Sequence, residues 1–149
     1  MKIKVKEIDI SYQGNHGIIE TPPITSSSDA AAILLENWPK GKIGVQESFR
    51  IMLLNNGNRV MGIYEVSSGG ITATLVDIRI LFAVVLKSLS TAIILAHNHP
   101  SGNLHPSEED KKLTIKIIQA AELLDIKVLD HIILTLDGEY FSFSDEDII

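Results

Sequence analysis

His97 and His99 follow an apolar run of the chain, and Ser107 and Asp110 come after a short polar segment. In an extended segment, side chains two residues apart point the same way, so both imidazoles can reach one ion. Two imidazoles and the carboxylate of Asp110 suit zinc and leave a fourth position for water, as in catalytic zinc sites. Zinc lowers the pKa of such a water to about 7, which would supply hydroxide at neutral pH.

This chemistry also requires a general base, and Glu47 is the candidate. Period-two alternation puts Glu47 on one strand face with Phe49, Ile51 and Leu53. A carboxylate on an apolar face loses hydration, which raises its pKa towards a value that is useful near neutral pH. The sequence therefore predicts that Glu47 accepts the proton of the water.

Each of these residues also has a purely structural interpretation. The Ser107-x-x-Asp110 pair at a helix start is typical of a capping box, in which the two side chains bind free backbone N–H groups. A single histidine after a buried strand is more often a core residue, and a glutamate at a strand start is usually solvated. Their occurrence together favours the metal site, and capping and metal binding can use different atoms of the same segment.

The surrounding pattern predicts one α/β domain with a mixed sheet and three helices. The predicted helices cover residues 29–38, 77–87 and 107–124, and the predicted strands cover residues 3–10, 47–54, 59–67, 91–96, 127–136 and 139–143. Ser28 or its neighbour is the predicted N-cap of the first helix. The Asn-Asn-Gly-Asn segment at residues 55–58 indicates a hairpin turn.

The apolar stripe of the third helix indicates which side of its first turn faces the core and the predicted site. The stripe consists of Leu113, Ile117, Ala121 and Leu124. Extended backwards by three residues, it reaches Asp110 and then Ser107, so both lie at the N-terminal end of the face that meets the core. Asp110 is therefore expected to approach the two histidines from the inner side of the helix.

Composition and charge exclude several classes of protein. The 149 residues are 45% hydrophobic and include no cysteine, which fits one domain and excludes disulfides, Cys-ligated zinc and a cysteine nucleophile. No apolar run approaches the ~20 residues that span a bilayer, and no apolar leader is visible, so we expect a cytoplasmic protein with no membrane partner. The formal charge of −6 disfavours sequence-independent nucleic-acid binding, although a local basic patch stays open.

The combined motif resembles that of a metalloprotease superfamily. Glu47, the His-x-His-Pro of residues 97–100 and the Ser-x-x-Asp of residues 107–110 are similar to the JAMM (MPN+) motif. The closer resemblance, over about residues 46–142, is to RadC-like JAB domains. It is carried by His-Asn-His-Pro-Ser-Gly at residues 97–102, Pro-Ser-x-x-Asp at residues 106–110, Leu-Asp-His-Ile-Ile at residues 129–133, Arg79 and the Leu54-Asn55 step.

The resemblance implies a fold, an activity and residue roles. It implies a cytidine-deaminase-like JAB/MPN sandwich, with residues 46–149 as the RadC-like JAB domain and residues 1–45 as a strand, loop and short helix packed on it. The implied activity is zinc-dependent hydrolysis of a peptide or isopeptide bond in a protein or peptide substrate. His97, His99 and Asp110 would be zinc ligands, Glu47 the general base, and Ser107 a hydrogen-bond donor to the water or the oxyanion.

Two other functions stay open. The first is a DNA-repair-associated protein, as the RadC label suggests; the charge of −6 weighs against it, and residues 1–45 do not match the helical module of full-length RadC proteins. The second is a non-catalytic interaction module that zinc stabilises, for which Glu47 and an open fourth position would be unnecessary. The alternation over residues 3–10 indicates an edge strand, which would pair either with a second copy in a homodimer or within the chain.

The remaining histidines near the motif allow two interpretations each. His105, in the loop between the predicted ligands, is interpreted as a surface residue, with contact to substrate as the alternative. Asp130 and His131 begin an apolar strand run and are interpreted as a satisfied buried pair. The alternative for His131 is a hydrogen bond to a metal-bound histidine.

Overall fold

The computed structural model describes residues 4–5, 21–70 and 75–149. These residues form the elements α1 (Ser27–Glu36), β1 (Ser48–Leu54), β2 (Val60–Ser68), α2 (Ile78–Ser88), β3 (Ala92–Asn98), α3 (Glu108–Leu123), β4 (Lys127–Leu134) and β5 (Tyr140–Ser142). The predicted α/β class is confirmed. The predicted strand over residues 3–10 lies, apart from residues 4–5, outside the described residues, and the division of the chain at residue 45 stays a prediction.

The five strands form one mixed sheet in the order β2-β1-β3-β4-β5. β1 is antiparallel to both β2 and β3, whereas β4 runs parallel to β3 and β5 antiparallel to β4. A parallel pair needs a crossover connection, and α3 supplies it between β3 and β4. The C-terminal end of β3 consequently lies beside the start of β1 and leads into the first turn of α3.

Helices cover both faces of the sheet, which explains why β3 is apolar along its whole length. Ile94 and Ala96 pack in the cluster that contains α1, whereas Ile93 and Leu95 pack in the cluster that contains α2 and α3. Successive strand residues point to opposite faces, so a strand buried on both faces has no polar side. None of the described helices is long and apolar enough to span a membrane.

The first helix begins earlier than the sequence pattern predicts. Ser26 is its N-cap, with an extended backbone at φ −149° and ψ 164°, and Asp29 completes a capping box with it. The prediction of Ser28 or its neighbour as the cap is wrong, because the acidic partner of a capping box stands three residues after the cap. The helix then ends at Glu36, and Asn37 caps it before the buried Trp38.

The inner face of α3 differs from the predicted stripe at both ends. Its buried residues are Thr114, Ile117 and Ala121. Leu124 is 40% exposed, because the helix ends at Leu123 and Leu124 is its C-cap. Leu113 is only partly buried against the α2–α3 cluster. Thr114 takes the innermost position of the first turns, where its hydroxyl has hydrogen-bond partners.

Candidate metal centre

Four of the five predicted site residues meet at the C-terminal end of β3. One ligand atom each from Glu47, His97, His99 and Asp110 lies within 4.8 Å of the other three. The fifth predicted residue, Ser107, is hydrogen-bonded to Asp110 at the start of α3. Residues from three separate segments thus form one compact group of imidazoles and carboxylates.

The register of β1 against β3 places Glu47 in this group. Phe49 is the Cα partner of His97 in the antiparallel pair, so the same register continued by two residues sets Glu47 opposite His99. Phe49 and the next inward residues of β1 lie in the α2–α3 cluster, as the period-two alternation predicts. Glu47 is only 9% exposed, and burial raises the pKa of its carboxyl group.

Asn98, between the two histidines, holds the backbone on both sides of Glu47. Its Oδ1 accepts a hydrogen bond from the N–H of Ser48 at 2.8 Å. Its Nδ2 donates to the carbonyl oxygens of Gln46 at 2.8 Å and Ile43 at 2.7 Å. Sequence reasoning missed Asn98. Its position between the two histidines, at the end of an apolar strand, was the available signal, because a polar side chain that is buried there requires hydrogen-bond partners.

Asp110 reaches the histidines from the first turn of α3. Ser107 is the N-cap of this helix, as predicted: its Oγ accepts from the Asp110 N–H at 3.0 Å, and Asp110 Oδ2 accepts from the Ser107 N–H at 2.8 Å. Asp110 Oδ1 lies 3.5 Å from His97 Nε2, and Oδ2 lies 3.4 Å from His99 Nε2. Oδ2 therefore takes part in the cap and also faces the site.

The protonation of these groups is coupled. Burial opposes ionisation of Asp110, but its contacts with His97 and His99 outweigh this effect and hold the pKa of that carboxyl group well below its usual range. Burial also opposes protonation of His99, yet contacts with Asp110 and the Asn103 carbonyl raise its pKa. Full burial lowers the pKa of His97. The site thus holds an ionised carboxylate and favours a positive charge beside it.

Both histidines turn their Nε2 atoms towards each other and towards Asp110. The two Nε2 atoms are 2.9 Å apart. On the outer side of its ring, His99 Nδ1 lies 2.5 Å from the carbonyl oxygen of Asn103. A carbonyl oxygen only accepts, so the His99 ring hydrogen on this side is on Nδ1. When this ring is neutral, its Nε2 has no hydrogen and is available to a metal ion; when the ring is protonated, Nε2 donates to its neighbours in the site.

His131 belongs to the site, and Asp130 and His131 are both buried and hydrogen-bonded, as the interpretation of a satisfied buried pair predicts. Asp130 Oδ1 accepts from the backbone N–H of His131 at 2.7 Å, not from its ring. The ring lies between His97 Nδ1 at 2.7 Å and Thr114 Oγ1 at 2.6 Å. The structure also contains the hydrogen bond between His131 and His97 that the alternative interpretation predicts. His105 is exposed, as expected for a surface residue.

Comparison with known proteins gives a clear family assignment. A family model of the RadC-like JAB domain matches residues 24–148. The chain belongs to this family. The resemblance stated from the sequence is confirmed, and the mixed five-stranded sheet with three helices is consistent with a JAB/MPN fold.

Several curated proteins that are similar to this JAB domain are UPF0758 proteins. That of Flavobacterium johnsoniae is 45% identical over 134 residues, which are 88% of this chain and 56% of the relative. Those of Porphyromonas gingivalis and Alkaliphilus metalliredigens are 42% and 38% identical, over 70% and 97% of this chain and 46% and 58% of each relative. The chain spans about half the length of these relatives.

The donor set of this JAB domain fits a tetrahedral metal ion. Two ligands bound at about 2.0–2.1 Å to a tetrahedral zinc ion are about 3.3 Å from each other. The distances from His97 Nε2 to Asp110 Oδ1, 3.5 Å, and from His99 Nε2 to the other carboxylate oxygen, Oδ2, 3.4 Å, are close to this value. The two Nε2 atoms, 2.9 Å apart, need to separate by only a few tenths of an ångström. His97, His99 and Asp110 therefore can hold a divalent cation with little movement.

Proposed function

We propose that this JAB domain is a zinc-dependent hydrolase that cleaves a peptide or isopeptide bond with water. The observation that carries the proposal is the meeting of two histidines and two acidic residues, Glu47, His97, His99 and Asp110, with ligand atoms within 4.8 Å of one another. The ion, when bound, would supply Lewis acidity and a water of lowered pKa. The proposal concerns the domain alone, because the chain spans about half of its relatives' length.

Each residue has a distinct role in this proposal. His97 and His99 would hold the ion through Nε2, and Asp110 would hold it through its carboxylate. Glu47 takes a proton from the attacking water and passes it to the leaving amine, and its raised pKa suits a base near neutral pH.

Ser107 is proposed to stabilise the developing oxyanion. Its Oγ accepts a hydrogen bond from the Asp110 N–H at 3.0 Å, and a hydroxyl group that accepts one bond can still donate its own hydrogen. A donor aimed at the position where negative charge develops lowers the barrier of acyl transfer. Ser107 thus serves both the start of α3 and the reaction.

The test combines metal content with turnover. We expect the wild type to bind one zinc ion per chain and to cleave members of a panel of peptide-linked and isopeptide-linked substrates. Glu47→Gln keeps the size of the side chain but removes the base, so it should retain zinc and lose at least ~10²-fold in turnover. Glu122→Gln, on the exposed side of α3, is the matched control and should behave as wild type.

Two results would contradict the proposal. One is a wild-type protein that takes up no stoichiometric zinc from a metal-buffered solution. The other is a Glu47→Gln variant that cleaves a true substrate as fast as the wild type does. Either result would remove the hydrolytic role of this centre.

A further inference from the structure

A chain of hydrogen bonds runs from α3 through the core to His97. Thr114 Oγ1 lies 2.7 Å from the carbonyl oxygen of Asp110 and 2.6 Å from His131 Nδ1. His131 Nε2 then lies 2.7 Å from His97 Nδ1. Thr114 and His131 are fully buried and His97 is 1% exposed, so these side chains satisfy one another without bulk solvent.

The direction of this chain follows from counting hydrogens. The carbonyl oxygen of Asp110 can only accept, so the single hydroxyl hydrogen of Thr114 is donated to it. Towards His131, Thr114 can therefore only accept, and the His131 ring hydrogen must be on Nδ1. His131 is fully buried between a hydroxyl group and another imidazole, where an unpaired positive charge would be costly, so the ring is neutral and its Nε2 has no hydrogen. His97 must then donate from Nδ1.

The rings are also held against rotation by their neighbours. His131 stacks on Phe143 with ring centroids 4.5 Å apart and an angle of 19° between the planes. Phe49 meets the edge of His131 at 5.5 Å and stacks on His97 at 6.1 Å. A half-turn flip of the His131 ring would put carbon atoms in the positions of Nδ1 and Nε2 and break both hydrogen bonds.

We propose that Thr114 and His131 are positioning residues that keep His97 in the tautomer with its hydrogen on Nδ1, which leaves Nε2 free to bind a metal ion. This inference rests on the proposed metal-binding role of His97. In the other tautomer the hydrogen would be on Nε2, where it would have to be removed before a metal could bind.

The two proposed ligands are oriented by different means, which explains why Thr114 is needed. His99 donates from Nδ1 to the Asn103 carbonyl. A carbonyl oxygen can only accept, so the neutral His99 ring has only one possible tautomer. His97 instead faces another imidazole, which could either accept or donate. Thr114, with its only hydrogen already given to Asp110, decides between the two directions.

The inference is tested by Thr114→Val, which keeps the shape of the side chain and removes the acceptor. We expect it to weaken zinc binding by about 10–100-fold, measured by competition with a chromophoric chelator. Thr114→Ser keeps the hydroxyl and should bind zinc almost as tightly as the wild type. Thr135→Val removes the hydroxyl of another buried threonine, which bonds to the Glu139 carbonyl, and controls for lost stability.

A second readout does not depend on the metal. In metal-free wild type and Thr114→Ser, long-range ¹H–¹⁵N spectra of the histidine rings should show the hydrogens of His97 and His131 on Nδ1. In Thr114→Val the His97 hydrogen should move to Nε2 in part of the molecules.

The inference is overturned if Thr114→Val binds zinc as tightly as Thr114→Ser. It is also overturned if wild-type His97 carries its hydrogen on Nε2. A wild type that binds no zinc would defeat the proposed function, while the spectra of the metal-free protein would still decide the tautomer.

Discussion

Among the single residues, Asn98 connects the proposed base, Glu47, to the strand that contains the proposed ligands His97 and His99. It lies between His97 and His99 in β3 and holds the peptide groups next to Glu47 through three hydrogen bonds of 2.7 to 2.8 Å. The proposed base and the proposed ligands belong to different strands, so their relative position depends on this amide as well as on the strand register.

Replacing Asn98 should therefore affect both stability and catalysis. Asn98→Ala leaves a buried N–H and two carbonyl oxygens without this partner, and each buried group left unpaired costs about 1–3 kcal/mol. We expect the free energy of unfolding, measured in urea, to fall by at least about 1–3 kcal/mol. We also expect the fold decrease in kcat to exceed the fold increase in KM.

Asn37→Ala is the control for Asn98→Ala. Asn37 is exposed and its amide also donates to a carbonyl oxygen, that of Ile33, at 2.9 Å. Its loss should cost no more than about 0.5–1.5 kcal/mol and leave kcat unchanged. Equal effects of the two substitutions would show that Asn98 does not position Glu47.

At the scale of elements, two helices begin with the same capping box. α1 begins with Ser26 and Asp29, and α3 begins with Ser107 and Asp110; in both, serine and aspartate bind each other's backbone N–H groups. Among the residues that the structure describes, only the box of α3 lies beside histidines. The chain thus offers an internal comparison between a cap alone and a cap with a proposed catalytic role.

Ser26→Ala and Ser107→Ala should have similar effects on stability. Each removes one N-cap acceptor, which costs about 0.5–2 kcal/mol in the free energy of unfolding. Ser107→Ala should additionally lower kcat, because the proposed oxyanion donor is lost, whereas Ser26→Ala should not. If Ser107→Ala retains full kcat, Ser107 is only a cap.

Local signals in the sequence predicted most elements, and long-range contacts account for what was missed. The Ser107 cap, the turn at residues 55–58 and the alternation from Glu47 depend on neighbouring residues only, so they could be predicted. Asn98 and His131 find their partners at separations of 50 and 34 residues. Those contacts follow from the register of β1 on β3 and of β3 on β4, which propensity and spacing do not determine.

At the scale of the whole molecule, the histidines make the stability of the metal-free protein depend on pH. The pKa of His99 is raised above 6.5 in the folded chain. The stability that protonated His99 contributes is therefore complete below about pH 6.5 and is lost as pH rises through the pKa of the folded state. The pKa values of His97 and His131 are lowered by burial, so unfolding takes up protons below about pH 6.5 and stability falls there.

We therefore expect the histidine contribution to peak near pH 6.5 in the presence of a chelator. The stabilisation by zinc should instead grow as pH rises, because metal binding needs unprotonated ligands. Urea unfolding at about pH 6, 7 and 8, with chelator and with zinc, measures both trends. His99→Gln should abolish the alkaline decline of the metal-free protein; if the decline persists in that variant, His99 does not cause it.

Anomalous diffraction at the zinc edge, from crystals grown with zinc, would locate the ion and identify its ligands. We predict one strong peak per chain, at about 2.0–2.1 Å from Nε2 of His97 and of His99 and bonded to Asp110. The Glu47 carboxylate should lie outside bonding distance, with room for a water between it and the ion. The absence of a peak here, bonds through Nδ1, or Glu47 as a direct ligand that fills the fourth position would contradict the account.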